Sequence, residues 1–208
     1  MKRLILSLFP IAVLVASCAT SSRGAALGGK STCCSTNVGA TDAYTDKSLY
    51  QLDSTWTNDA GQAVKLGTLR GRVQVVALFF ARCTYACPII VHDLNRIEAA
   101  LPESARAKVG FTLVTIDTER DTPEALRIYR EVHKLPSNRW TLLNGTPDDT
   151  LELAALLGVK FKREASGQFA HSTIITVLNP EGEIVHQLVG LNSDITETVK
   201  RITSVAAK

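Results

Sequence analysis

The chain has 208 residues, with 23 Lys and Arg against 20 Asp and Glu, and a formal net charge of +3. So small an excess of positive charge gives no case for nucleic-acid binding, which depends on a strongly basic surface. A chain of this length can bury a core without covalent staples, so its five cysteines favour redox or metal chemistry over a disulfide framework.

The first residues are typical of an export signal. A basic start at Lys2 and Arg3 precedes an apolar run over residues 4–16, which is too short to cross a bilayer because a crossing takes about 20 residues. The run ends in Val15-Ala16-Ser17-Cys18, which resembles the lipobox of bacterial lipoproteins. This resemblance implies that residues 1–17 are removed, that Cys18 carries lipid, and that the protein is anchored on the extracytoplasmic (periplasmic) side of the cell envelope. An ordinary signal peptide with an incidental cysteine is the alternative.

Residues 18–47 are small and polar, and they predict a flexible tether because they offer too little apolar surface to offset the entropy of ordering. Loss of Lys2 and Arg3 with the signal leaves 21 basic against 20 acidic residues. The tether contains Cys33 and Cys34, and adjacent cysteines can close only a strained ring. They are therefore expected to be two free thiols, an intermolecular link or an auxiliary metal contact.

The folded domain is predicted over residues 48–208, with no internal repeat and no second domain. It begins with an N-terminal β-hairpin, because the turn-forming residues 57–62 lie between the apolar Trp56 and Val64. Residues 73–80 are almost entirely aliphatic or aromatic, which is typical of a strand that is covered on both faces.

Two cysteines four positions apart follow this strand. Pro88 fits the first turn of a helix, and apolar residues at positions 90, 94, 97 and 101 continue the helical spacing. Cys83 is therefore expected in the strand-to-helix loop and Cys87 at the helix start. The free amides and the dipole of a helix start favour thiolate, and Arg82 adds a positive charge. The sequence thus predicts a low pKa for both thiols.

Two such thiols can form a disulfide, exchange one with another protein, or bind a soft metal ion. A purely structural disulfide is disfavoured because it would close a small loop and stabilise little. Two thiolates with one imidazole suit Cu(I), and oxidation to Cu(II) would keep the imidazole. From the residues alone the source of the imidazole stays open among four histidines, which are His92, His133, His171 and His186.

Strands and helices alternate over the rest of the chain. The predicted elements are a strand at 111–116 ending at Asp117, a helix from Pro123 to before Pro136, a strand at 140–143, a helix ending at Leu157, a polar loop at 160–168, a hairpin of strands 172–178 and 183–188, and a helix at 194–205. Asp121-Thr122-Pro123-Glu124 supplies the start of the first of these helices, in which Val132 is expected to face inward. Asp148 or Asp149 is expected to cap the next. This order predicts an α/β fold with a mixed central sheet flanked by helices.

Several blocks of this sequence together resemble the Sco/SenC family over most of residues 49–205. They are Cys83-Thr84-Tyr85-Ala86-Cys87-Pro88, the run from Thr115-Ile116-Asp117 to Asp121-Thr122-Pro123-Glu124, Arg139-Trp140 with Asn144-Gly145, Ala170-His171-Ser172, and Asn179-Pro180-Glu181-Gly182. The resemblance implies a thioredoxin-like fold and copper held by the two cysteines of a C-x-x-x-C-P motif and a distant histidine.

Residue by residue, the resemblance implies that Cys83, Cys87 and His171 hold copper, as Cu(I) and also as Cu(II), and that the two cysteines form a redox-active disulfide pair. Asp117 is expected nearby, either supporting the ligands or facing a partner. The implied role is a metallochaperone that delivers copper to, or prepares the cysteines of, the CuA centre during cytochrome c oxidase assembly. Its expected partners are the CuA-bearing subunit of a haem-copper oxidase and another copper chaperone or a thiol reductant. The alternative is an extracytoplasmic thiol:disulfide oxidoreductase that acts through Cys83 and Cys87.

Overall fold

The computed structural model describes residues 44–208, which belong to one compact unit. The expected signal peptide at 1–17, the lipid attachment at Cys18 and the Cys33-Cys34 pair lie outside the described residues. Within residues 44–208, no helix is both long enough and apolar enough to pass through a bilayer.

The described chain alternates strands and helices, as predicted. The strands are β1 (Trp56–Asn58), β2 (Ala63–Val64), β3 (Val73–Phe79), β4 (Val109–Thr115), β5 (Trp140–Asn144), β6 (Phe161–Arg163), β7 (Phe169–His171), β8 (Ile174–Leu178) and β9 (Ile184–Val189). The helices are α1 (Ala86–Ala100), α2 (Glu103–Arg106), α3 (Pro123–His133), α4 (Pro147–Leu156) and α5 (Thr196–Ala206).

Seven of the strands form one mixed sheet in the order β2-β1-β5-β4-β3-β8-β9. The central strands β3, β4 and β5 are parallel, whereas β8, β9 and the N-terminal hairpin β1–β2 pair antiparallel. Every residue of β3 and β4 is buried, which explains their nearly continuous apolar sequence. The predicted mixed central sheet with an N-terminal hairpin is therefore confirmed.

Helices cover both faces of this sheet. On one face the ring of Tyr129 in α3 lies 4.8 Å from that of Phe79, and Trp140 donates to Glu98 of α1. On the other face Leu153 of α4 lines a small apolar cavity with Val76 of β3. The parallel strands β3 and β4 end at the same edge, where the chain turns into the loop that contains Cys83.

Three local predictions were wrong. Val132 is 69% exposed because it lies six residues after the buried Leu126, roughly 240° around the helix. The helix α4 is capped by Thr146, whose hydroxyl accepts from the Asp149 amide at 3.1 Å, so neither Asp148 nor Asp149 is the cap. The polar loop predicted at 160–168 instead contains β6 and the turn to β7, and the two strands form a separate two-stranded sheet.

Candidate metal and thiol site

Cys83 and Cys87 occupy the positions that the sequence predicts. Cys83 lies in the loop after β3, and Cys87 is the second residue of α1. A hydrogen bond links the two residues, because the Cys87 amide donates to the Cys83 Sγ at 3.3 Å. The Phe80 amide in turn donates to the Cys87 Sγ at 3.4 Å. Both residues are free thiols in the structure, so the pair is in the state that can bind a metal or reduce a disulfide.

The two thiols differ strongly in acidity. A hydrogen bond from Cys87 is the largest cause that lowers the pKa of Cys83 to about 5, and the amides of Tyr85, Ala86 and Cys87 at the start of α1 add to it. Cys87 is fully buried, and its hydrogen bond to Cys83 together with desolvation raises its pKa above the ordinary range. The prediction of two low-pKa thiols was therefore right for Cys83 and wrong for Cys87.

His171 is the last residue of β7 and comes to the site from the small sheet that the sequence did not predict. It pairs with Phe161 across β6–β7, and its ring lies edge-on to that of Phe80 at 6.1 Å. Its Nδ1 lies 3.1 Å from the Ser172 carbonyl oxygen, and since a carbonyl can only accept, Nδ1 carries the proton. In the neutral form of the ring Nε2 is then the nitrogen without a proton, and it is buried with no hydrogen-bond partner among residues 44–208.

A surface groove of about 520 Å³ brings these groups to one place. It is lined by the Cys83 loop, including the exposed Tyr85, on one side and by β7 with Phe169 and His171 on the other. A larger groove of about 630 Å³ lies elsewhere, along residues 46–52, and has neither a thiol nor an imidazole in its wall. The candidate thiol and imidazole donors therefore belong to the smaller groove.

The donor set fits copper, although the three ligands are not preassembled. A thiolate at Cys83, a second thiol beside it and an imidazole nitrogen without a partner among residues 44–208 are soft and borderline donors of the kind Cu(I) takes. Within residues 44–208, however, no three Cys, His, Asp or Glu side chains already cluster closely enough to hold an ion. Bringing all three donors onto one ion therefore requires a rearrangement of these side chains or of the segments that carry them.

The other three histidines lie outside this groove. His92 is exposed on α1. The ring of His133 stacks on Tyr129 at 4.2 Å, and burial lowers the pKa of His133. His186 shares a hydrogen bond of 3.0 Å with the Thr198 hydroxyl. Of the four candidate imidazoles, His171 is thus the one that lines the same groove as Cys83.

Asp117 lies two residues after the end of β4 and is buried, but it does not line the groove. Its Oδ2 accepts from the Arg120 Nε at 2.5 Å. Asp121, four residues further on, is also buried and lies closer to the cysteine loop, because its Oδ2 accepts from the Ala81 amide at 2.8 Å and from the Thr115 hydroxyl. Burial raises the pKa of Asp121. Sequence reasoning assigned Asp121 to a helix start and missed this support of the loop.

A family model described as SCO1/SenC matches residues 42–207. The chain belongs to the SCO1/SenC family. It is 24% identical over 158 residues to a SCO1 protein homolog of Bacillus subtilis (strain 168), covering 73% of this chain and 81% of the relative. This family assignment confirms the resemblance inferred from the sequence.

Solved SCO1/SenC structures have the same fold. A SCO1/SenC family lipoprotein from Bacillus anthracis superposes with a TM-score of 0.68 at 20% identity, covering 76% of this chain and 95% of that one. Yeast Sco1 with copper bound gives a TM-score of 0.62 at 22% identity, covering 74% of this chain and 87% of that one. At these identities the likeness establishes the fold, and the predicted thioredoxin-like α/β architecture is confirmed.

Proposed function

We propose that this SCO1/SenC protein binds copper through Cys83, Cys87 and His171, and delivers it to the CuA centre of a haem-copper oxidase or prepares the cysteines of that centre. One observation carries the proposal: Cys83 and His171, whose Nε2 is buried without a hydrogen-bond partner among residues 44–208, line one groove. Sco1 from yeast, a structure of the same fold, is described with copper bound.

Each residue has a distinct part in uptake and release. Cys83 is exposed enough to meet the incoming ion and already ionised at neutral pH. Cys87 lies behind it and must lose its proton as the ion enters, so uptake releases a proton. His171 completes the set when its hairpin closes on the loop. An exposed first ligand also allows transfer by ligand exchange with a partner's thiol.

The cellular part of the proposal rests on the N-terminal sequence. Lipid attachment at Cys18 would hold the protein to a membrane on the periplasmic side, with residues 18–47 as the tether. The proposed recipient is the CuA-bearing oxidase subunit, and the proposed donor of copper or electrons is another copper chaperone or a thiol reductant. A lipoprotein of the same family in Bacillus anthracis supports the anchor.

An anaerobic Cu(I) competition titration tests the metal site. His171→Ala should weaken the affinity by more than about 100-fold because it removes a ligand and not merely a supporting group. His92→Ala is the matched control, since His92 is exposed on α1 and outside the groove. Equal affinities of wild type and His171→Ala would refute the proposed ligand set.

The asymmetry of the thiols favours thiol:disulfide exchange as a second candidate function. The Cys83 thiolate would attack a substrate disulfide and release one substrate thiolate. Cys87 would then attack the mixed disulfide, and its proton would end on the second substrate thiolate. The Cys83/Cys87 pair loses two electrons and becomes a disulfide, and the substrate disulfide is reduced to one thiolate and one thiol.

A single-turnover reaction with glutathione disulfide distinguishes the two functions. If exchange is the function, Cys87→Ser should stop at the mixed disulfide on Cys83, as seen by mass spectrometry, and His171→Ala should react at the wild-type rate. A rate that falls with His171→Ala as far as copper affinity does would contradict an independent reductase role.

A further inference from the structure

Among residues 44–208, the hairpin that carries His171 is attached to the rest of the fold through side chains and not through the central sheet. Its strands β6 and β7 pair with each other and with no strand of the central sheet. A two-stranded hairpin alone is at best marginally stable in water. The position of His171 relative to Cys83 therefore depends on side chains that link the hairpin to the remainder of the described chain.

One side chain links the tip of this hairpin to the central sheet. Arg120 follows β4, and its Nε donates to the Asp117 carboxylate, of which only 1% is exposed. The Nη2 of the same guanidinium donates to the Gly167 carbonyl, in the turn between β6 and β7. Arg120 thus spans from the end of β4 to the hairpin tip with two different nitrogens, which a planar, forked group can do and a single ammonium cannot.

The hairpin turn is shaped around this guanidinium. Gly167 has a φ of +79°, a conformation that other residues rarely adopt, and a Cβ added there would lie 3.3 Å from the Arg120 Nη1. The turn is closed by the Gly167 amide, which donates to the Glu164 carbonyl at 2.9 Å. The tip therefore presents its backbone closely to Arg120.

Further contacts also attach the hairpin, and they differ in expected strength. The ring of His171 lies edge-on to that of Phe80, and Phe161 packs against the core. The ring of Phe169 lies 5.3 Å from that of the buried Phe80, beneath the groove. Arg163 pairs with Glu119 at 2.8 Å, but both side chains are largely exposed, so this ion pair contributes little. Arg120 is then the principal polar attachment of the hairpin among the described residues.

We propose that Arg120 is a positioning residue that, anchored by Asp117, holds the Gly167 turn and so sets how readily His171 reaches the two thiols. The inference rests on the proposed copper function for its consequence, but its structural half concerns the metal-free protein. It also gives Asp117 a role that the sequence left open. Asp117 anchors Arg120, and Arg120 in turn holds the hairpin that forms the wall of the groove opposite the Cys83 loop.

Amide hydrogen exchange of the metal-free protein tests the attachment. Arg120→Met should speed exchange of the β6–β7 amides by about tenfold or more, because it removes two hydrogen bonds of a charged group, while the β3 and β4 amides stay unchanged. Arg120→Lys should behave like Arg120→Met if the bridge matters and like wild type if charge alone matters. Arg127→Met is the matched control, since Arg127 makes exposed ion pairs within α3.

Arg120→Met leaves the buried Asp117 carboxylate unpaired and could unfold the domain. The double variant Asp117→Asn with Arg120→Met removes both charges and keeps the test available. In either variant the Cu(I) affinity should fall by about 10- to 100-fold, in the range of groups that orient metal ligands. In a His171→Ala background the same change should have no further effect, because Arg120 acts through His171.

The outcomes separate the two proposals. If the β6–β7 amides exchange at the wild-type rate both in Arg120→Met and in the double variant Asp117→Asn with Arg120→Met, the proposed attachment of the hairpin by Arg120 is refuted. Faster exchange with unchanged Cu(I) affinity, or an equal loss of affinity in the His171→Ala background, would refute positioning of the ligand. A wild-type protein that takes up no Cu(I) would instead refute the proposed function, whatever the exchange shows.

Discussion

Cys83 should remain a thiolate at a pH where ordinary cysteines are protonated. With its pKa at about 5, thiolate outnumbers thiol by about 100 to 1 at pH 7, whereas an unperturbed cysteine with a pKa near 8.5 would be only about 3% ionised. The sign follows from the contacts: hydrogen bonds from Cys87 and from the amides that begin α1 stabilise the charged form and outweigh the opposing desolvation. The lowered pKa therefore keeps the Cys83 thiolate reactive at more acidic pH.

Pulsed alkylation with iodoacetamide between pH 4 and 9, on the reduced and metal-free full chain, measures this directly. Peptide mass mapping separates Cys83 from the other cysteines. The rate at Cys83 should reach half its plateau at about pH 5, and the buried Cys87 should react only when the protein unfolds. Cys87→Ala should move the midpoint towards higher pH because it removes the largest cause of the shift. A wild-type midpoint near pH 8.5 would refute the reasoning.

Two further substitutions test the packing around the site and at the sheet edge by urea unfolding. Phe80→Ala should lower the free energy of unfolding by about 3–5 kcal/mol, because Phe80 is 1% exposed and lies under both Phe169 and His171; a loss below about 1 kcal/mol would contradict its role as a support. Gly145→Ala should cost about 1–3 kcal/mol, since a Cβ there would lie 2.6 Å from the buried ring of Trp56. Gly61→Ala is the control for Gly145, because nothing lies within 4 Å of its Cβ position and only its positive φ of 76° is penalised.

The central strands and α1 could be predicted because their sequence patterns are unambiguous. A run of buried residues in β3 followed by Pro88 and a helical apolar spacing leaves one arrangement for Cys83 and Cys87. The β8–β9 hairpin was equally clear, since Asn179-Pro180-Glu181-Gly182 separates two β-branched runs. In these segments the local signal and the tertiary environment agree.

The β6–β7 hairpin could not be predicted in the same way because each strand has only three residues and none of these residues is fully buried. A weak signal exists: Phe161 and Phe169 flank a Ser166-Gly167 turn. Their rings lie 6.2 Å apart, and that of Phe169 lies 5.3 Å from the ring of Phe80. Its stability comes from residues remote in the sequence, such as Arg120. This is why the third proposed ligand, His171, could be selected by family resemblance but not from spacing.

The buried state of Cys87 was predictable in principle and was missed. Cys87, Val91 and Leu94 are spaced by four and then three residues, so they share the apolar stripe of α1, and all three are buried. The prediction of a low pKa from the helix dipole assumes that a side chain at the helix start is exposed, and it ignores that Cys87 belongs to the apolar stripe of α1. For Cys83, which precedes the helix, the argument holds because the side chain is only partly covered.

The same asymmetry constrains how any partner can use the site. A partner that enters the groove meets the Cys83 sulfur first, because Cys87 is fully buried behind it. In copper transfer Cys83 is then the ligand that exchanges with the partner, and in disulfide reduction it is the attacking atom, so substitution of Cys83 abolishes both. His171 is required only when a metal must be held, since dithiol exchange uses no imidazole in this arrangement. Whether activity depends on His171, and on Arg120 through it, is therefore the property that separates a copper carrier from a reductase built on one pair of thiols.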